Sequence, residues 1–208
     1  MKNYSVIFTS LFYVLCPPSA DASDGARLVN LLVPISSMSA NFTQSISDED
    51  DNLLERSNGT FKVSRPAKMV WHIEAPLEQQ IISNGKLVWL YDPDLDQVIV
   101  ESADNSLNGS PMSLFAGDLN LIDKIYSIEA DISDKKSVFT LTPTESASLF
   151  VDIKMIFDIH IPQSIFLRDS FGQQTRIIFN NVALNPSIAS SVFNFVPPSD
   201  VDIINNVR

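Results

Sequence analysis

The sequence predicts a mainly β, antiparallel protein with a small helical complement, and three observations carry that prediction. Short strand-like runs follow one another from residue 41 onward, separated by Gly, Pro, Asn and Asp turn signals. Several of those runs are apolar on both faces, so the sheet needs two covers. One run, Gly59 to Ile73, carries an arginine on its apolar parity. Side chains alternate along a strand, so Phe61, Val63 and Arg65 share a face, and Met69, Trp71 and Ile73 share one beyond Pro66. A guanidinium there needs acceptors. Arg65 therefore marks a wet rim with a surface ion pair, or it holds something across the mouth of an apolar space.

The elements follow in chain order. Residues 24–39 form the helical segment, with Ser23 or Asp24 as cap and Leu28, Leu31, Leu32 and Ile35 at helical spacing. Pro34 bends that helix or ends it near Val33. Strands are expected at 41–46, 59–64, 68–74, 79–83, 86–91 and 97–101. Their turns are 48–52, Asn58-Gly59, Ala75-Pro76, Asn84-Gly85 and Asp92-Pro-Asp94. Ser83-Asn-Gly-Lys86 is a two-residue hairpin signal, because Asn-Gly takes positive φ at both central positions. Consecutive hairpins make a meander. Pro111 can open a short helix carrying Met112, Leu114 and Phe115, and a second helical piece covers 120–126. Strands resume at 137–142, 148–158, 164–168, 175–180 and 193–196.

Two runs show the double apolarity. Lys86 to Tyr91 puts Leu87, Trp89 and Tyr91 on one side and Val88 and Leu90 on the other. Leu149 to Phe157 is apolar at every odd position, with Phe150 and Ile156 on the even side. Helices over one face, a sheet curled around an internal cavity, and an ordinary sandwich core all satisfy this pattern.

Residues 1–22 are expected to be a signal peptide: Lys2, an apolar run from Val6 to Cys16, and Ala20-Asp-Ala22 as the cleavage site. Residues 23–208 then form a single exported, soluble domain without cysteine. The rival is acylation of Cys16, which needs a small residue before it where Leu15 stands. The net charge of -11 and pI near 4.4 leave no Lys/Arg cluster in sequence for nucleic acid, and disfavour loose adsorption to an anionic membrane.

Catalytic motifs are absent from the sequence: no G-x-S-x-G elbow, no H-E-x-x-H pair and no phosphate-binding glycine loop. His72 and His160 fall on separate strand runs without an evident partner serine. Asp92, Asp94 and Asp96 imitate the start of a calcium loop, but Gln97 and Ala103 stand where glycine and a bidentate acid are needed. The Asp48–Asp51 run is most simply an exposed loop. No metal and no cofactor is expected. Phe42, Phe61, Met69, Trp71, Trp89, Met112 and Phe115 are soft or wide groups that suit an adaptable lipid cavity, and equally an ordinary core.

Six blocks in order resemble the outer-membrane lipoprotein carrier family, LolA. They are Ser39-Ala-Asn-Phe-Thr-Gln44, Gly59-Thr-Phe-Lys-Val-Ser-Arg-Pro66 with Trp71 following, Asn84-Gly-Lys-Leu-Val-Trp-Leu-Tyr-Asp-Pro93, Ser110-Pro-Met112, Phe139-Thr-Leu-Thr-Pro143 and Phe193-Asn-Phe-Val-Pro-Pro198. The resemblance implies an incomplete, strongly curved antiparallel half-barrel lidded by short helices around an apolar cavity. It implies a monomeric periplasmic chaperone that takes triacylated lipoproteins from an inner-membrane ABC transporter and hands them to an outer-membrane receptor. Arg65 maps to the lid-closing arginine, whose guanidinium would donate to lid carbonyls. Trp71 maps to the cavity tryptophan. The acyl-chain cavity is then expected to be lined by Phe42, Phe61, Val63, Met69, Trp71, Trp89, Leu90, Met112 and Phe115. Met69 departs from the phenylalanine of the family pattern, and Pro34 interrupts the first helix. The alternatives on the same half-barrel are the membrane-anchored receptor, which an acylated Cys16 would favour, and an envelope-stress sensor. An enzyme acting on lipids would need a nucleophile–base pair.

Overall fold

A computed structural model describes residues 22–104, 113–145 and 148–207. The architecture is one twelve-stranded sheet in the order β12-β6-β5-β4-β3-β2-β1-β11-β10-β9-β8-β7. A single sheet with this order is an open, strongly curved antiparallel half-barrel, which excludes the sandwich. Helix α1 spans Asp24–Leu32. The first meander is β1 (Ser37–Ser47), β2 (Leu53–Ser64), β3 (Lys68–Ala75), β4 (Gln79–Asn84), β5 (Leu87–Asp92) and β6 (Gln97–Ser102). Two short helices follow, α2 (Ser113–Ala116) and α3 (Ile122–Ile125), with a 3₁₀ turn at Leu119–Leu121. The second meander is β7 (Tyr126–Ile132), β8 (Lys136–Pro143), β9 (Phe150–Asp158), β10 (Ile161–Asp169) and β11 (Gln174–Leu184). It closes on the first through the antiparallel β1·β11 pair. Strand β12 (Asp202–Asn205) adds in parallel to β6.

Helix α1 forms where the apolar spacing places it and stops before Pro34. Ser23 caps it by accepting from the Ala26 amide at 3.1 Å. Its length corrects the expectation of a helix to residue 39. Proline cannot supply the amide that would continue the turn, and β1 starts four residues earlier than the strand pattern predicts. Strand β2 is longer than expected because Asn58-Gly59 is not a turn. A side chain at Gly59 would stand 2.0 Å from the His72 carbonyl oxygen and 2.6 Å from Phe42 Cζ. The glycine is there for close approach, and a bulge beside it re-aims the strand. The turn after Ser83 forms one residue later than expected: Ser83 pairs with Val88, so the two-residue loop is Gly85-Lys86, and only Gly85 takes positive φ, at 93. Asn84 ends β4, and its side-chain oxygen accepts from the Lys86 and Leu87 amides at 2.9 Å.

Both covers exist. The concave face buries Phe42, Phe61, Val63, Met69, Trp71, Phe139, Met155 and Phe157 under α1 and α2. The convex face of β4–β6 has its own cluster of Ile82, Trp89, Val98 and Val100, packed by Phe195 and Val201 of the C-terminal segment. That segment is the 3₁₀ turn Ser190–Phe193 followed by β12, not the strand expected at 193–196. β-parity explains why Leu87–Tyr91 is apolar on both sides: Val88 points into the lidded face, Trp89 into the C-terminal one.

Candidate functional site

The site is built on the β2–β3 corner. β2 delivers Phe61 and Val63 to the concave face, and Arg65 follows at the strand end, where the Arg65–Pro66 peptide is cis. The corner is pinned to the lid through its backbone: the Arg65 amide donates to Ser36 O at 2.9 Å, and the Ala67 amide donates to Ala116 O at 2.8 Å. The Arg65 guanidinium then donates three times. Nε reaches Ile35 O at 3.1 Å, Nη1 reaches Gly117 O at 3.0 Å, and Nη2 reaches Leu114 O at 3.1 Å. All three acceptors are backbone carbonyls, two at α2 and one just after α1. No carboxylate pairs with Arg65 among the described residues. Among the described residues the guanidinium is satisfied by these carbonyls and not by a surface ion pair. Burial lowers its pKa from the ordinary value, yet a guanidinium stays charged at any physiological pH.

Beneath the arginine the interior is aromatic and apolar. Phe42 stacks on Trp71 with centroids 3.8 Å apart and planes at 19°. This is possible because Phe42 lies opposite Gly59 across the strand pair. Phe61 contacts Trp71 at 5.4 Å, Phe115 at 5.6 Å and Phe179 at 6.0 Å. Phe115 of α2 also meets Phe179 edge-on at 5.8 Å. Leu114 and Phe115 are almost fully buried, so α2 plugs the mouth with its own side chains. Beside α2 a groove of about 790 Å³ opens between Val29, Val33, Ala116, Leu121 and Ile125. Tyr126 lines it, and burial raises its pKa.

Of the expected cavity residues, Phe42, Phe61, Val63, Met69, Trp71 and Phe115 share this interior. Trp89 does not. It faces the opposite side of the sheet, 6.2 Å from Phe195, because it alternates with Val88 and Leu90. Leu90 has the concave parity but sits at the rim, 37% exposed. Met112 lies outside the described residues, as does the expected cleavage region up to residue 21. Phe179 was missed although it stands opposite Phe42 in β11, since the expected strand at 175–180 gave no cue to its neighbours. His72 bonds Glu78 at 3.1 Å on the outer side, and His160 sits in an exposed turn. Among the described residues no group of three or more His, Cys, Asp or Glu could hold a metal, and no helix is long and apolar enough to cross a membrane.

Fold and site together define a lidded half-barrel: an apolar interior on the concave face of the sheet, covered among the described residues by short helices to whose carbonyls one arginine donates. Comparison with known proteins gives the same class its family. The family model described as outer membrane lipoprotein carrier protein LolA matches residues 34–196. A protein of Pseudomonas syringae pv. syringae named outer-membrane lipoprotein carrier protein is 36% identical over 199 residues, 96% of each chain. One of the same name from Azotobacter vinelandii is 35% identical over 205 residues, 98% of this chain and 99% of its own. The crystal structure of a LolA superfamily protein from Nitrosomonas europaea shares the fold, with a TM-score of 0.50 at 13% identity over 84% of this chain and 99% of that one. The chain belongs to the LolA family of outer membrane lipoprotein carrier proteins.

Proposed function

We propose that this chain carries lipoproteins between membranes as a periplasmic chaperone, sheltering their acyl chains against the concave face under the α1–α2 lid. The observation that carries this reading is the triple donation from Arg65 to Ile35, Leu114 and Gly117 above an interior of Phe42, Phe61, Trp71 and Phe179. In this reading residues 1–22 direct export and are removed, and residues 23–208 are the mature carrier. Cargo arrives from an inner-membrane ABC transporter and leaves to an outer-membrane receptor.

The energetics suit a carrier. Each buried methylene is worth about 0.8 kcal/mol, so an acyl chain of fifteen or so gains on the order of 10 kcal/mol by staying out of water. The three charge-assisted bonds of Arg65 are worth roughly 1.5–3 kcal/mol each at most. They equal several methylenes, a fraction of a chain. The lid therefore tilts the balance toward release without preventing loading. Loading separates Leu114 and Phe115 from the interior and breaks the guanidinium bonds; release restores them.

A fluorescent acyl probe tests this directly. It should bind the mature protein and be displaced by an acylated lipoprotein, but not by the same polypeptide lacking its acyl chains. Trp71→Glu should abolish binding, because a carboxylate in that apolar stack has no partner. Probe binding unchanged in a folded Trp71→Glu protein would place the ligand elsewhere.

A further inference from the structure

The convex face on the second-meander side carries a row of cations in a chain of net charge -11. The strand register sets them in a row. Arg56 of β2 lies opposite Ser45 of β1, Ser45 lies opposite Arg176 of β11, Arg176 lies opposite Phe166 of β10, and Phe166 lies opposite Lys154 of β9. Adjacent strands are about 4.8 Å apart, so the Cα atoms of Arg56 and Arg176 flank Ser45 at a separation of about 10 Å. Two arginine side chains can close on one ligand across that gap, and the small serine between them leaves it room. The resulting trough encloses about 650 Å³, with Ser47 and Leu53 continuing its floor.

The cations differ in how they are used. Arg168 is committed: its guanidinium is paired with Asp152, with Nε at 2.9 Å. Arg176 lies over the Phe166 ring, 4.8 Å from its centroid, which fixes the guanidinium plane and leaves its N–H edges unspent. Arg56, Arg176 and Lys154 have no ion pair or hydrogen-bonding partner among the described residues, and all three are exposed. The two carboxylates of the trough are occupied, Asp152 by Arg168 and Asp51 by the Gln174 amide at 3.1 Å.

We propose that this trough is an oxyanion site for a phosphoryl group, gripped by Arg56 and Arg176 across Ser45 with Lys154 as a third charge beyond Phe166. Guanidinium forks with unspent N–H edges in one trough match a tetrahedral oxyanion with several acceptor oxygens better than they match a single carboxylate. Free phosphate and a phospholipid headgroup share that chemistry. The acidic turn Asp48-Glu49-Asp50-Asp51 stands at the same end of β1 and β2, and it would meet a flat anionic bilayer before the trough did. The ligand is therefore a small soluble phosphate or phosphate ester. The site is on the other side of the sheet from the lidded interior, and it does not depend on the carrier reading.

The test is titration of inorganic phosphate into the mature protein in low-salt, phosphate-free buffer. Calorimetry gives the affinity, and NMR follows the arginine Nε–Hε signals. Saturable one-to-one binding that moves the Arg56 and Arg176 signals is expected, with glycerol 3-phosphate binding alike. Arg56→Gln and Arg176→Gln should each raise Kd at least about tenfold, the loss of one charge-assisted contact. Lys135→Gln, in the exposed β7–β8 turn, should leave Kd unchanged, and all three variants should still bind the acyl probe. Failure to saturate at millimolar phosphate would overturn the proposal, as would an unchanged Kd in either trough variant. Co-sedimentation with phosphatidylglycerol vesicles without any response to soluble phosphate would overturn it too, by moving the ligand to a membrane surface.

Discussion

Arg65 does its work through geometry, since its acceptors are neutral carbonyls rather than a counter-ion. A planar fork with donors on three nitrogens can reach three carbonyls at once, and an ammonium cannot copy that arrangement. Arg65→Leu should accordingly leave loading nearly intact and slow transfer from a purified carrier–cargo complex to its receptor, with Arg65→Lys intermediate. Transfer at the wild-type rate in Arg65→Leu would remove the switch from the mechanism. Gly59 is the second residue on which the site depends. Its missing Cβ lets β3 approach and lets Phe42 lie flat on Trp71. Gly59→Ala should cost about 3 kcal/mol, at the top of the overpacking range, because the obstructing atom at His72 is backbone and cannot step aside. Denaturant unfolding measures it, and a change under 1 kcal/mol would mean that the strand pair yields easily.

At the scale of elements, the two covers of the sheet are different in kind. The lid is short and tied by few groups: the Arg65 bonds, the Ala67–Ala116 backbone bond, and Asp24, which accepts from the Ala130 amide at 3.0 Å and so docks α1 on β7. The C-terminal cover is packed on by Phe195 and Val201 and continued as a strand along β6. One cover is held by a few hydrogen bonds, the other by apolar packing and a strand pairing. Phe193 is 1% exposed, so Phe193→Ala should destabilise the fold by about 3–5 kcal/mol. It should nevertheless leave acyl-probe affinity in the folded protein unchanged, because Phe193 is not among the residues that pack the interior around Trp71. A selective loss of probe affinity without a loss of stability would contradict that separation.

For the whole molecule, the closed form has its own side chains where a ligand would go. Phe115 of α2 fills the space beside Phe61 and Phe179. In the proposed carrier reading cargo displaces the lid, and the loaded and empty forms differ there. Hydrogen exchange should show α1 and α2 amides losing protection on loading while β4–β6 under the C-terminal segment keep theirs. Uniform protection in both states would mean that ligand binds without opening the lid. Much of this was legible in the sequence. Turn signals such as Asn84-Gly85 are local and mark a hairpin to within a residue, and alternation along Gly59–Ile73 grouped Phe61 with Val63 and Met69 with Trp71 because strand parity is a property of the chain itself. That the two groups share one face came from the β2–β3 pairing. The double apolarity of Leu87–Tyr91 likewise required two covers. Which cover each face receives was not legible, since parity separates two faces without saying which one is concave. That choice came from the closure of β1 on β11 and the return of the C-terminal segment, and it sent Trp89 outward while Trp71 went in. Gly59 misled for a related reason, as a glycine kept for close approach to a distant backbone looks locally like a glycine kept for a turn. The sequence by itself determined the strands, their parity and the presence of an arginine that needed acceptors. Only the tertiary structure decided what those acceptors are, because the carbonyls of Ile35, Leu114 and Gly117 come together from segments tens of residues apart.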